Sequence, residues 1–180
     1  MLGLDKGEVR LAPPTHHWKE LFHQEKKILE QHIGEYVIDI QQFGSTAIDN
    51  IKAKPIIDIL VGVEEIGQVD AFDKKALKRD DYYHLPGVQI EGKVVFAKFS
   101  DLERLTKTHI LHVVEYEGDW WKKHLAFRDY PNGHADTAKE YEQLKTKLAH
   151  DFSDEEKSYT NGKVRFVEEV LRAALLDKAD

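Results

Sequence analysis

A chain of 180 residues, 41% hydrophobic and 33% charged, has the balance of a globular protein with enough apolar side chains to bury a core. Its net charge of −7 argues against general, charge-driven binding to nucleic acid or acidic membranes, while leaving room for a local basic patch that holds a small anion. The lack of cysteine excludes a disulfide framework, thiol chemistry and a Cys-type zinc site.

The opening segment, MLGLDKGEVRLAPPTHHW, has no apolar stretch of the signal-peptide kind. No window reaches the roughly 18 apolar residues of a membrane span. A cytoplasmic protein without a membrane segment is expected. APPTHHWKELFHQEKKILEQHIG predicts a helix near 16–33, with Thr15 as N-cap and Gly34 as stop. Its apolar stripe is Trp18, Leu21, Phe22, Ile28, Leu29 and Ile33. EYVIDIQQF predicts a strand near 36–42, and AKPIIDILVGV one near 55–63, apolar on both faces. IGQVDAFDKKALKRDDY reads as a helix. VQIEGKVVFAKFS reads as a hairpin turning near Glu91-Gly92, with a strand near 93–99, and KTHILHVVEY predicts a strand near 108–116. Everything from Asp119 reads as helical, with Pro131 and Gly133 separating DWWKKHLAFRDY from a helix near 134–151. A last helix near 154–177 follows a capping-box pattern, Ser153 with Glu156. This order predicts an α+β fold over 1–180 as one domain, a mixed β-sheet with helices packed on it and a helical C-terminal tail.

The stretch FGSTAIDNIKAKPIIDILVGV carries the chemistry. Gly44 permits close backbone approach, and Ser45 or Thr46 can cap a short helix through Ile51, whose free N–H groups suit a phosphate. A Gly-Ser pair alone is most often a plain turn. Asp58 raises its significance. In a strand it shares a face with Ile56 and Leu60, while Ile57, Ile59 and Val61 share the other. A carboxylate in so apolar a strand needs a cation, a metal or several N–H donors.

A Gly-Ser turn followed by an acid on a hydrophobic strand resembles the nucleotidyltransferase fold. There the Gly-Ser loop holds a nucleotide phosphate, and two strand acids at i and i+2 hold divalent metal. FGSTAIDNIKAKPIIDILVGV, THILHVVE, FRDY with EYEQLKTKLA beyond it, and YTNGKVRFVEEVL resemble the GrpB (UPF0157) family, as does VRLAPPTHHWKELFHQEKKIL. The resemblance covers nearly the whole chain. It implies a nucleotidyltransferase-like fold, often as a standalone cytosolic bacterial protein. Relatives fused to dephospho-CoA kinase point toward nucleotide metabolism. No established reaction comes with the family.

Leu60 departs from the two-acid pattern, since two-metal phosphoryl chemistry needs several oxygen ligands. Three explanations stay open. A third acid, Glu115 or Glu91, completes a reduced site; or one ion is held with help from substrate phosphates; or the fold keeps a ligand pocket and has lost transfer chemistry. A Leu60→Asp replacement is expected to strengthen metal binding if the pocket geometry is conserved. Asp58 is the candidate catalytic acid and metal ligand, for Mg2+ or Mn2+, with Glu115 and His112 as secondary candidates. His109 and His112, three apart on a strand, point to opposite faces and cannot share an ion, so at most one faces the cleft. Phosphate-binding candidates are Gly44, Ser45, Thr46, Lys54, Arg128 and Lys163, the last three because they also match motifs of the resemblance. Lys123 reads as a solvated surface residue.

Two functions compete. One is metal-dependent nucleotidyl transfer to a small acceptor. The other is a binding or regulatory module for a nucleotide or phosphorylated metabolite, without turnover. Convergence of two or three carboxylates near Asp58 favours the first, and Asp58 alone the second. A nucleic-acid partner ranks last.

Overall fold

Strand alternation and one buried helix face organise the molecule. The protein is described from a computed structural model covering residues 1–179. Five strands, β1 (Val37–Phe43), β2 (Ile57–Val63), β3 (Tyr82–His84), β4 (Lys93–Asp101) and β5 (Thr106–Glu115), form one mixed sheet in the order β1-β2-β5-β4-β3. β2 and β5 run parallel, and the remaining neighbours are antiparallel. The strand that carries Asp58 is therefore interior, one place from the edge, with β5 at the centre.

One face of the sheet packs on α1 (His17–Ile33). Trp18, Phe22, Leu29 and Ile33 meet Ile57, Ile59, Val61, Leu111 and Val113, most of them fully buried. Each such aliphatic side chain contributes about 1.5–3 kcal/mol of burial. The opposite face is covered by the helical tail: α3 (Asp119–Gly133), α4 (Ala135–Asp151), α5 (Glu156–Asn161) and α6 (Val164–Asp177). There Phe43, Leu60, Val114 and Trp121 form a second small core, and Ile48, Ile51, Ala138 and Tyr141 a third. No helix among the described residues is long and apolar enough to cross a membrane.

Several boundaries differ from the sequence reading. Thr15 is not the N-cap of α1; that position is His16, and the Thr15 hydroxyl accepts from the His17 N–H at 3.2 Å. The helix expected after Val63 is a 3-10 turn, Ile66–Ala71, and a short α2, Lys74–Arg79, separated at extended Phe72. Asp73 caps α2 by accepting from the Ala76 N–H, and Asp81, at φ 64°, turns the chain into the unforeseen β3. The hairpin at Glu91-Gly92 is only a bridge between Ile90 and Lys93. The true hairpin joins β4 to β5, where the Asp101 carboxylate accepts from the Glu103 and Arg104 N–H groups and Leu105 sits at φ 52°.

Pro131 lies inside α3, and the break comes at His134. The capping box does not form, because α5 starts at Glu156 itself, behind Glu155. The last helix is two helices. Gly162 packs against Leu148 of α4 so closely that a Cβ would collide with it, and the chain changes direction there before α6.

Candidate functional site

Alternation along β2 sends Asp58 away from α1. Its partner across the parallel pair is Ile110, and Leu60 pairs with His112. His112 thus joins Asp58 on the tail-facing side, with Nε2 at 3.7 Å from Oδ1, while His109 points to the α1 side beside Leu111 and Val113. The strand argument for opposite-facing histidines accounts for this placement.

The Gly-Ser turn folds back onto the same carboxylate. Gly44 sits at φ 72°, and a Cβ there would collide with the Asp58 carboxylate. Close approach is needed toward Asp58. Ser45–Ala47 is a single 3-10 turn, so the capped helix through Ile51 does not form. As its first residues, Ser45 and Thr46 leave their N–H groups without an acceptor inside the turn. The Ser45 hydroxyl donates to the Tyr141 hydroxyl at 3.2 Å, and the Thr46 hydroxyl accepts from Gln42.

Between this turn, the sheet and the tail lies a cavity of about 530 Å³, within the usual size range of small-molecule sites. Gly44, Ser45, Thr46, Lys54, Asp58, His112 and Lys163 all line it. Lys54 and Lys163 flank the buried Tyr159 ring, with Nζ 5.4 and 4.5 Å from its centroid, and Lys54 pairs with Glu156 at 3.4 Å. Burial, then the nearby Lys54 charge, pushes Lys163 down to about 8 against the opposing pull of Asp58 and Glu156. Behind it Lys145 is fully buried, donates to the Lys52 carbonyl and is pushed down to about 7, chiefly by burial and secondly by Lys163.

Two expected members are elsewhere. Arg128 does not line the cavity: its guanidinium bonds Asp129 at 2.7 Å and Gln41 and the Gln42 carbonyl at 3.0 Å, which ties α3 to β1. Glu115 lies five residues beyond Ile110, about 16 Å along the strand, and alternation puts it on the other face. It shares a separate depression with Glu91. Neither acid meets Asp58.

Sequence reasoning missed a second layer. Lys93, buried at the start of β4, donates from Nζ to His124 Nε2 at 2.6 Å and lies 4.0 Å over the Trp120 ring. Burial lowers Lys93 to about 8, with Asp58 opposing, and burial and then Lys93 lower His124 to about 2. His124 is therefore a neutral acceptor. Burial also lowers His112, against the raising pull of Asp58, and its Nδ1 is buried without a hydrogen-bond partner among the described residues. Lys107 and Lys123 line the cavity too, so Lys123 is no bystander. A signal for Lys93 lay in the period of β4, which puts it on the face of Val95; the pairing of Val95 with His112 was needed to read it.

Leu60 has no exposed surface and packs with Phe43, Val114 and Trp121. It does not open onto the cavity, so an aspartate there would be a buried charge. Among the described residues no group of three or more His, Asp or Glu side chains could hold a metal ion. The donor set does not fit a two-metal centre.

Comparison with known proteins places this geometry in a family. The chain matches the GrpB protein family over residues 8–173. It is 61% identical over 171 residues to the glutamate-rich protein GrpB of Alkalihalophilus pseudofirmus, covering 95% of this chain and 98% of that one. It is 35% identical over 162 residues to the UPF0157 protein YqkA of Bacillus subtilis, covering 90% of this chain but 46% of the longer relative. The crystal structure of the conserved protein GrpB from Enterococcus faecalis superposes with a TM-score of 0.85 at 29% identity, covering 95% of this chain and all of that one. The Cid1 poly(U) polymerase, solved with MgGTP bound, superposes with a TM-score of 0.51 at 9% identity, over 77% of this chain and 44% of its own. That likeness is one of fold: the mixed sheet with helices on it is nucleotidyltransferase-like.

Proposed function

The chain belongs to the GrpB family, and from that premise we propose that it binds a nucleotide or other phosphorylated small molecule in the cavity over Asp58, without two-metal nucleotidyl transfer. The observation that carries this reading is the charge of the cavity wall. Lys54, Lys107, Lys123 and Lys163 face Asp58 and Glu156, and Glu156 is already paired with Lys54. The Ser45 and Thr46 N–H groups add neutral donors beside them. An anion replaces lost hydration for a half-buried lysine such as Lys163, whose depressed pKa reflects that loss.

Transfer chemistry of the two-metal kind needs several carboxylate oxygens to clamp the attacking and leaving oxygens. Among the described residues the cavity's acids are Asp58 and Glu156, the latter paired with Lys54; Leu60 takes the next place on Asp58's face, and Glu115 is out of reach. Titration with Mg2+ or Mn2+ in the absence of ligand is therefore expected to give weak heat or none.

The test is thermal unfolding against a panel of nucleotides and phosphorylated metabolites. A ligand that binds only the folded state, at about 100 times its dissociation constant, stabilises by about 2.7 kcal/mol. For a chain of this size that is several degrees, at roughly 2–4 °C per kcal/mol. The shift should shrink in Lys163→Ala and Ser45→Ala and persist in Lys147→Ala, an exposed position outside the cavity lining. A silent panel at millimolar concentration, or a shift indifferent to Lys163→Ala, would overturn the assignment.

A further inference from the structure

Much of the cavity lining is aliphatic. Lys163 caps the start of α6, and Val167 and Leu171 follow it at four-residue spacing on the same helix face, all three lining the cavity. That face runs from a cation to aliphatic wall over about 12 Å. The opposite wall is residues 85–92, which contribute Leu85, Val88 and Ile90, and Ile110 continues the band on the sheet. Val88 and Ile90 are 38% and 41% exposed, so apolar surface faces water at the cavity mouth.

The six side chains of this band, Leu85, Val88, Ile90, Ile110, Val167 and Leu171, carry no donor or acceptor to read the edge of a nucleobase; Lys123, which shares a second depression with Ile90, adds a cation there but no acceptor. The aromatic rings of the cavity are already engaged. Trp120 stacks with His124 at 20° and carries Lys93 over its face; Tyr141 stacks with Phe166 at 8°; Tyr159 lies under Lys54 and Lys163. Along this band a ligand's remaining surface would therefore be recognised mainly by area, which favours flexible hydrocarbon over a flat heterocycle with polar edges.

We infer that the ligand is a phosphate ester of an aliphatic chain, its phosphate at Ser45, Lys54 and Lys163 and its chain along Val88, Ile110, Val167 and Leu171. This rests on the phosphate-site reading above and names the class of molecule that site takes.

The test is calorimetric titration with inorganic phosphate, methyl, butyl and octyl phosphate below micelle-forming concentration, and adenosine monophosphate. Affinity should climb with chain length by up to about fourfold per buried methylene, the transfer value for a CH2 group. Octyl phosphate should bind more tightly than adenosine monophosphate. Val88→Ser, on an exposed connection, and Leu171→Ser should each flatten the chain-length dependence and leave methyl phosphate unchanged, whereas Lys163→Ala should weaken every member alike. If adenosine monophosphate binds and the alkyl series shows no dependence on length, the aliphatic assignment is wrong and the phosphate site stands. Length dependence that survives both serine variants also overturns it. If none of the series binds, inorganic phosphate included, the phosphate site falls and this inference falls with it.

Discussion

The two faces of the sheet are built from the same strands and do opposite things with polarity. On the α1 face the buried charges are matched: Glu25 accepts from the Tyr82 hydroxyl at 2.7 Å and pairs with Lys98 at 2.6 Å. Its one loose end among the described residues is His109 Nε2, on a ring that burial holds down to about 4 and so keeps neutral. On the tail face, Asp58 and His112 open onto a cavity whose lysines outnumber its acids. Apart from His109 Nε2, the α1 face satisfies its polar groups internally, as a core must. The other lines a cavity with cations and N–H groups. Alternation along β2 and β5 assigns residues to each role, so a step of one residue separates a packing position from a site position.

The sharpest break in that comparison is Leu60→Asp. It shares a face with Asp58 yet lies in the small core under Trp121. The variant loses a fully buried side chain and buries an unpaired charge, for which about 3–5 kcal/mol of destabilisation is expected. Urea unfolding should show this, with no gain in manganese affinity. A stable variant that binds manganese tightly would mean that Leu60 merely occupies a metal-ligand position.

Next is Ile59→Ala, on the α1 face with no exposed surface. A loss of about 2–5 kcal/mol is expected, with ligand affinity of the folded protein unchanged. A matching loss of affinity would show that the two faces are coupled.

pH separates the faces more gently. Burial lowers Lys163 and Lys93 from the ordinary lysine value of 10.5 to about 8. Through that interval the unfolded chain binds more protons than the folded one, so their contribution to stability rises with pH; below about pH 8 the burial penalty is fully present. Ligand affinity runs the other way. It should fall as pH rises through about 8, by about tenfold per unit if one lysine must stay charged. Lys163→Arg, which keeps its charge, should hold affinity above that point. Affinity flat up to pH 10 would remove Lys163 from the site. The smallest effect expected is that of Lys147→Ala, with no change in melting point or affinity.

Legibility in the sequence followed the same division. The faces of β2 and β5 were readable because period-two alternation is local: Asp58 with Leu60, and His109 opposed to His112, needed no tertiary information. Gly44, Ser45, Lys54 and Lys163 were legible as a group only through resemblance to a family. Lys93, His124 and Lys107 were not, because His124 and Lys107 reach the cavity, and Lys93 the back of His124, through the pairing of β4 with β5 and the crossing of α3, which no local pattern records. Arg128 misled for the mirror reason: its partners Gln41 and Gln42 are more than eighty residues away in sequence. β3 escaped notice since three residues are too few to show a period.

The central claim is that the tail face, and not the α1 face, is an anion site. A proton–nitrogen correlation spectrum recorded during titration with inorganic phosphate tests it most directly. The amides of Gly44 to Ala47 and of Lys163 to Val167 should shift together and saturate, while those of Glu25, Leu111 and Val113 stay in place. Saturating shifts confined to other lysine-bearing surfaces, or none up to millimolar phosphate, would contradict it.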